Sequence, residues 1–119
     1  MVRLMKEDEA VEYVSSWIEA NKWHEEEFFF GSDNPRVRPD FLIDHPTKSM
    51  IEVKGSKFRI TELAGQIVVY LLSFKRRKLI VAIPSRINEV QSLRKQLRRH
   101  GFNFEILDVS NLKFFSAEK

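Results

Sequence analysis

The sequence predicts an α/β fold in which a mixed central sheet is flanked by helices. Helical periodicity and short apolar runs alternate along the chain in the order α-β-β-β-α-β-α-β. With 119 residues, of which 43% are hydrophobic and 31% charged, the chain has the size and balance of one folded domain over residues 1–119. Cysteine is absent, which excludes disulfides, thiolate metal sites and cysteine nucleophiles.

The first half of the chain is predicted to contain one helix and three strands. These elements are a helix over 4–22, a strand over 23–30 that includes Phe28, Phe29 and Phe30, and hairpin strands over 41–44 and 50–54. The helix is amphipathic, because Leu4, Val11, Val14 and Ile18 share one stripe. A tight turn around Pro46 would join the hairpin strands.

The second half is predicted as a helix over 61–74, a strand over 79–84, a helix over 85–100 and a strand over 102–109. The segment 61–74 is ambiguous because Ile67–Val69 favour strands, but its length and Thr61 as a candidate cap favour a helix. In the last helix Val90, Leu93 and Leu97 are expected inside and Arg94, Lys95, Arg98 and Arg99 outside, and Gly101 ends it.

Charge is divided unevenly along the chain. Residues 1–53 contain 6 Lys and Arg against 12 Asp and Glu, and residues 54–119 contain 14 against 5. This split indicates a surface that faces a polyanion, or else ordinary solvated faces of unequal sign. No stretch approaches the roughly 20 apolar residues of a membrane span, and charged residues 6–9 replace a signal peptide's apolar run, so a cytoplasmic location is expected.

Two carboxylates and a lysine are predicted to meet at one end of the hairpin. Glu52 and Lys54 share one face of a strand, while Ile51 and Val53 enter the core. A register that pairs residue 40 with 52 or 54 brings Asp40 beside them. Such a set suits metal-assisted phosphodiester hydrolysis, with oxygen ligands for Mg²⁺ and an ammonium that orients water. The alternative is a surface ion pair on a solvated strand face.

Three further features favour a functional site. Glu7 lies on the apolar stripe of the first helix, although a position near a helix start also suits a carboxylate. Gln66 and Tyr70 are four residues apart on one helix face, where a part-buried polar pair is the alternative. Basic residues flank the carboxylates and are candidate nucleic-acid contacts: Arg36, Arg38, Lys57 and Arg59.

These residues carry a resemblance to a known family. Arg38-Pro39-Asp40, then eleven residues, then Glu52-Val53-Lys54 resembles the signature of PD-(D/E)xK nucleases and the nuclease domain of type I restriction subunits. Gln66-x-x-x-Tyr70 resembles an extra motif of the RecB-like branch, and Glu7-x-x-Ala10-x-x-Tyr13-Val14 is similar to a first-helix motif of archaeal Holliday-junction resolvases. The resemblance covers about residues 4–84 and implies a restriction-endonuclease-like αβββαβ core.

The resemblance implies a Mg²⁺-dependent deoxyribonuclease, an endonuclease in preference to an exonuclease, in repair, recombination, restriction or mobile-element biology. The metal (Mg²⁺ or Mn²⁺) would be held by Glu7 through a water, Asp40, Glu52 and the Val53 carbonyl. The implied catalytic set is Asp40, Glu52, Lys54, Gln66 and Tyr70, with Lys54 positioning the water. Glu9 and Glu12 on the same helix remain alternatives to Glu7.

Two basic segments are candidate DNA contacts. They are the run Lys75, Arg76, Arg77 and Lys78, and a helix face with Arg94, Lys95, Arg98, Arg99 and His100, for which a solvated outer face is the alternative. A homodimer would suit a chain this small, and a helicase or another targeting subunit would have to supply any motor. Two rival interpretations are a non-catalytic nucleic-acid-binding module that retains the fold, and a scaffold with a surface ion-pair network.

Overall fold

Three helices and six strands alternate along the part of the chain that the computed structural model describes, residues 4–26 and 38–116. The elements in order are α1 Glu7–Ala20, β1 His24–Glu25, β2 Phe41–His45, β3 Ser49–Val53, α2 Ile60–Ser73, β4 Lys78–Ile83, α3 Ile87–Arg98, β5 Glu105–Asp108 and β6 Lys113–Phe114. The predicted α/β class and element order are confirmed, and β6 is an addition. The expected strand over 23–30 is seen only as β1, since Phe28, Phe29 and Phe30 lie outside the described residues.

The sheet is mixed and its strands follow chain order, β1-β2-β3-β4-β5-β6. The pairs β1–β2, β2–β3 and β5–β6 are antiparallel, whereas β3–β4 and β4–β5 are parallel. Each parallel pair is joined by a helix, α2 or α3, as parallel neighbours require. Because both crossovers run in the same direction across the sheet, their common handedness puts α2 and α3 on one face.

Apolar side chains cover both faces of the sheet. On one face Ala10, Val14 and Ile18 of α1 pack on β2–β5, including the fully buried Ile51 and Val53. On the other face α2 and α3 pack over Met50 and neighbouring strand residues. The central strands are therefore buried on both sides, as in other sheets with parallel strands between helices.

Several local expectations are wrong. Leu4 precedes α1 and is 64% exposed, so it is not part of the buried stripe. The predicted helix over 61–74 is a helix, but the residue that caps it is Arg59 rather than Thr61, without a side-chain capping hydrogen bond. Arg94 was expected on the outer face of α3, yet it is only 7% exposed because it packs toward β5 and Phe115. Gly101 follows α3 with φ of +86°, which agrees with its predicted role in ending that helix.

Candidate active site

The β2–β3 hairpin brings Asp40, Glu52 and Lys54 together where β3 ends. Its register pairs Phe41 with Ile51, and one further step places Asp40 opposite Glu52. Oδ2 of Asp40 accepts a 2.8 Å hydrogen bond from the Val53 amide. Lys54 follows β3 directly, and its Nζ lies 3.4 Å from Oε2 of Glu52. Of the two predicted registers, which pair residue 40 with 52 or with 54, the structure has the first.

Glu52 and Lys54 form a buried ion pair. Their residues are 6% and 7% exposed, because Glu52 continues the face of β3 that α2 covers. The alternative of a surface pair on a solvated strand face is therefore wrong. Removing both charges from water costs free energy that their mutual attraction offsets only in part. A buried ion pair of this kind is therefore weak evidence of a purely stabilising role. Asp40, by contrast, is exposed and opens the site to solvent.

Tyr70 connects α2 to this pair. Its hydroxyl donates to Oε1 of Glu52 at 3.0 Å and also lies 3.3 Å from the carbonyl oxygen of Arg38. Burial, followed by the charge of Glu52, raises the pKa of the Tyr70 phenol, so the hydroxyl keeps its proton and remains a donor. Gln66 lies one turn earlier on the same helix face, and its Oε1 is buried without a hydrogen-bond partner among the described residues.

Burial and, after it, the charge of the neighbouring Asp40 carboxylate raise the pKa of the Glu52 carboxyl from 4.5 to about 7, although Lys54 and Tyr70 act to lower it. Because the folded chain holds this proton more tightly than the unfolded chain, the contribution to stability is complete below about pH 4.5 and is lost as the pH rises toward 7. Binding of a proton or a cation between two such adjacent carboxylates is favourable, because it relieves the repulsion between their negative charges.

The start of α1 is held against the end of β3 by a contact that the sequence prediction missed. The Ser56 amide donates to the Met5 carbonyl at 2.7 Å, and the Met5 amide donates to Oγ of Ser56 at 2.8 Å. Between them, a Cβ on Gly55 would lie 2.6 Å from the amide nitrogen of Glu7 and 2.8 Å from the Met5 carbonyl oxygen. Only glycine permits this approach, and the signal for it is the Gly-Ser pair directly after Lys54.

Of the three candidate helix carboxylates, Glu7 is the one whose backbone takes part in this contact. Glu7 is the first residue of α1, is exposed, and lies close enough to Tyr70 for its charge to raise the pKa of that phenol. At about 100° per residue, Glu9 and Glu12 lie about 200° and 140° around the helix from Glu7. Glu7 therefore lies beside the segment that follows Lys54, and the choice among the three carboxylates stays a prediction.

The predicted basic residues divide between two ends of the sheet. Lys57 and Arg59 follow Lys54 and are exposed near the site, and Arg38 is exposed beside Asp40, whereas Arg36 lies outside the described residues. The other basic residues form the run Lys75, Arg76, Arg77 and Lys78. Lys78 is the first residue of β4, and it pairs with Ser49 rather than with Val53. Four strand residues, about 13 Å, therefore separate this run from the site.

Arg77 contributes to the fold. Its Nη1 donates to the carbonyls of Ile43 at 2.9 Å and Ser49 at 3.2 Å, and its Nη2 is paired with Glu26. The guanidinium thus ties β2, β3 and the segment after β1 together. Its expected role in DNA contact stays a prediction, and any such contact would lie away from Asp40, Glu52 and Lys54.

The oxygen donors expected for a metal are the side chains of Asp40 and Glu52, which the structure brings together, and the backbone carbonyl of Val53 between Glu52 and Lys54. Within residues 4–26 and 38–116 no group of three or more His, Asp or Glu side chains is arranged to hold a metal ion. Two carboxylates and a carbonyl nevertheless fit Mg²⁺, which is bound in proteins through one or two carboxylates and retains several waters. None of the described helices is long and apolar enough to cross a membrane. No protein-family model, curated protein or solved structure matches this chain.

Proposed function

We propose that this chain is a metal-dependent nuclease of the PD-(D/E)xK type that hydrolyses phosphodiester bonds in DNA. One observation carries the proposal: a buried Glu52–Lys54 ion pair adjoins the exposed Asp40 at the end of a hairpin, and the Tyr70 hydroxyl donates a hydrogen bond to Glu52. An exposed carboxylate beside a buried carboxylate and ammonium provides both ligands for a hard cation and a positive group facing a reacting phosphate.

The order of the elements supports the proposal. The segments α1, β1, β2, β3, α2 and β4 follow the αβββαβ order of the restriction-endonuclease-like core, and α1 and α2 lie on opposite faces of the sheet. In this arrangement Asp40 directly precedes β2, Glu52 lies near the end of β3, and Lys54 directly follows β3. The start of α1 at Glu7 contacts Gly55 just after Lys54 from one face of the sheet, and Tyr70 on α2 contacts Glu52 from the other.

Each residue has a role that follows from its position. Asp40, Glu52 and the Val53 carbonyl would hold Mg²⁺ or Mn²⁺, which when bound lowers the pKa of a water and offsets charge in the transition state. Lys54 would orient the attacking water or stabilise negative charge on the phosphate. Tyr70 fixes one oxygen of Glu52 by its hydrogen bond and leaves the other toward Lys54.

Two more polar residues extend the site. Glu7 would contribute a carboxylate at its solvent edge, where a water could link it to the cation. The unpartnered Gln66 oxygen would accept a hydrogen bond from a water or from the substrate strand. The exposed Lys57 and Arg59 would neutralise phosphates of the bound strand.

The test is cleavage of labelled duplex, single-stranded, flap and four-way-junction DNA, with Mg²⁺ or Mn²⁺ and with a chelator. We expect metal-dependent cutting that Asp40→Asn and Lys54→Met reduce by at least roughly 100-fold, since each removes a group that acts on the reacting atoms. Matched controls are Asp44→Asn and Lys48→Met, which change an exposed ion pair of the same hairpin and should leave the rate within about twofold.

Cutting that persists in Asp40→Asn or Lys54→Met would refute the assigned roles. DNA binding without cutting would instead support a non-catalytic module built on the same fold. A parallel RNA substrate tests the assignment of DNA as the nucleic acid.

A further inference from the structure

A groove runs along the second half of α3 on the β5–β6 side of the sheet, away from Asp40, Glu52 and Lys54. It is a cavity of about 590 Å³, lined among others by Gln91, Arg94, Lys95, Arg98 and Phe115. A second cavity of about 470 Å³ shares Arg94 and Arg98 and extends past the start of β4. Together these cavities are called the α3 groove.

Arg94 is the unusual residue of the α3 groove. It is only 7% exposed, and its Nε is buried without a hydrogen-bond partner among the described residues. Its guanidinium lies 6.0 Å from the ring centroid of Phe115. Burial lowers the pKa of this guanidinium and the nearby Arg98 lowers it further, whereas Glu105 acts to raise it. A buried cation without an ion-pair partner is costly, and an anion in the groove would remove that cost.

The surroundings of Arg94 are suited to an anion. Lys95 and Arg98 line the same cavity and are exposed. The acidic residue in the lining, Glu105, has its carboxylate 3.5 Å from Nζ of Lys78, and its charge also favours the protonated Arg94 guanidinium. Oε1 of Gln91 is also buried without a partner in the described chain. As an acceptor this oxygen does not itself bind an anion, and the donor that Gln91 can offer to a phosphate oxygen is its amide NH₂ group.

We propose that the α3 groove binds a phosphate group, with Arg94 as the buried anchor and Lys95 and Arg98 at its mouth. A planar guanidinium can donate two parallel hydrogen bonds to two phosphate oxygens, and the neighbouring cations add positive charge that does not depend on a fixed geometry. The site gives a role to the basic face of α3, which contacts no part of the Asp40–Glu52–Lys54 site. The phosphate belongs either to a nucleic-acid backbone or to a free phosphorylated ligand. The proposal does not depend on nuclease activity.

The test is a titration of the whole chain, in chelator so that no metal-dependent reaction intervenes. The probes are inorganic phosphate, pyrophosphate and a single-stranded DNA oligonucleotide, followed by calorimetry and by the ¹H–¹⁵N signal of the Arg94 Nε–H group. We expect a shift of that signal on binding. We also expect Arg94→Met to weaken binding by about tenfold or more, since it removes a charge-assisted pair while retaining an unbranched apolar stem.

Arg99→Met is the matched control, since Arg99 is exposed on the next turn and lines neither cavity. It should change affinity by no more than about twofold. If Arg94→Met does not fold, Lys95→Met and Arg98→Met test the same groove, each with an expected loss of about threefold or more.

The three probes distinguish the sources of the phosphate. Weaker binding of phosphate and pyrophosphate by Arg94→Met supports a site for a free ligand. Weaker binding of the oligonucleotide alone supports a contact with a nucleic-acid backbone. The proposal is overturned if the wild type binds none of the probes, or if Arg94→Met, or the Lys95 and Arg98 variants in its place, bind as tightly as the wild type.

Discussion

Replacing Gly55 by alanine tests the contact that holds α1 at the candidate site. The added Cβ would lie 2.6, 2.8 and 2.9 Å from the Glu7 nitrogen, the Met5 carbonyl oxygen and the Lys6 carbonyl carbon. All three are backbone atoms, so no side-chain rotation can relieve the contact. The segment before α1 must therefore shift away from the end of β3, and its two hydrogen bonds with Ser56 must lengthen or break.

The expected loss follows from these contacts. Two hydrogen bonds contribute about 1 kcal/mol each, and overpacking at a rigid position costs about 1–3 kcal/mol. Chain displacement relieves part of the overpacking, so Gly55→Ala should reduce the free energy of unfolding by about 2–4 kcal/mol. Urea denaturation followed by circular dichroism measures this directly, with a lower midpoint and an unchanged slope.

Gly65→Ala is the matched control. Gly65 lies within α2, and nothing is within 4 Å of the position its Cβ would take. Alanine in a helix interior is favoured over glycine, so this variant should gain about 0.5–1 kcal/mol. If Gly55→Ala unfolds at the same urea concentration as the wild type, the reasoning from close backbone approach is refuted.

Three further predictions concern buried charge and its partners. Glu52→Gln should be about 3 kcal/mol more stable than the wild type at pH 8 and less than about 1 kcal/mol more stable at pH 5, because burial destabilises the ionised carboxylate and not the protonated one. Urea denaturation at both pH values measures this, and equal differences in the free energy of unfolding would contradict it. Tyr70→Phe removes a hydrogen-bond donor to that carboxylate and should lower the free energy of unfolding by about 1.5–3 kcal/mol at pH 8, measured in the same way. An unchanged urea midpoint would show that this hydrogen bond does not stabilise the fold. Arg77→Met leaves Glu26 and two carbonyls without their donor and should cost about 2–4 kcal/mol by thermal unfolding, whereas the exposed control Arg76→Met should stay within about 0.5 kcal/mol.

The hairpin and its charged residues could be predicted from the sequence because they depend on local rules. Strand alternation puts Glu52 and Lys54 on one face, and the short turn fixes the register that brings Asp40 opposite Glu52. The helical spacing of Gln66 and Tyr70 likewise predicts that they share a face. None of these steps requires knowledge of distant parts of the chain.

The burial of charged residues could not be predicted, because it depends on which helix covers which face. Glu52 is buried since α2 packs over its side of β3, and Arg94 is buried since β5, β6 and Phe115 close against α3. Helical periodicity identified the apolar side of α3 but could not show that the sheet extends far enough to cover Arg94. The run 75–78 lies far from the site because β3 and β4 are parallel. The crossover between them returns the chain to the end of the sheet where β3 begins, opposite to the site at the end of β3.

Metal binding tests most directly whether Asp40 and Glu52 form the proposed divalent-cation site. Calorimetric titration of Mn²⁺ into the wild type should show one cation per chain. Asp40→Asn should weaken this binding by about tenfold or more, and Asp44→Asn, which changes an exposed carboxylate paired with Lys48, should leave it unchanged. Absence of Mn²⁺ binding to the wild type, or equal binding by Asp40→Asn, would contradict the account.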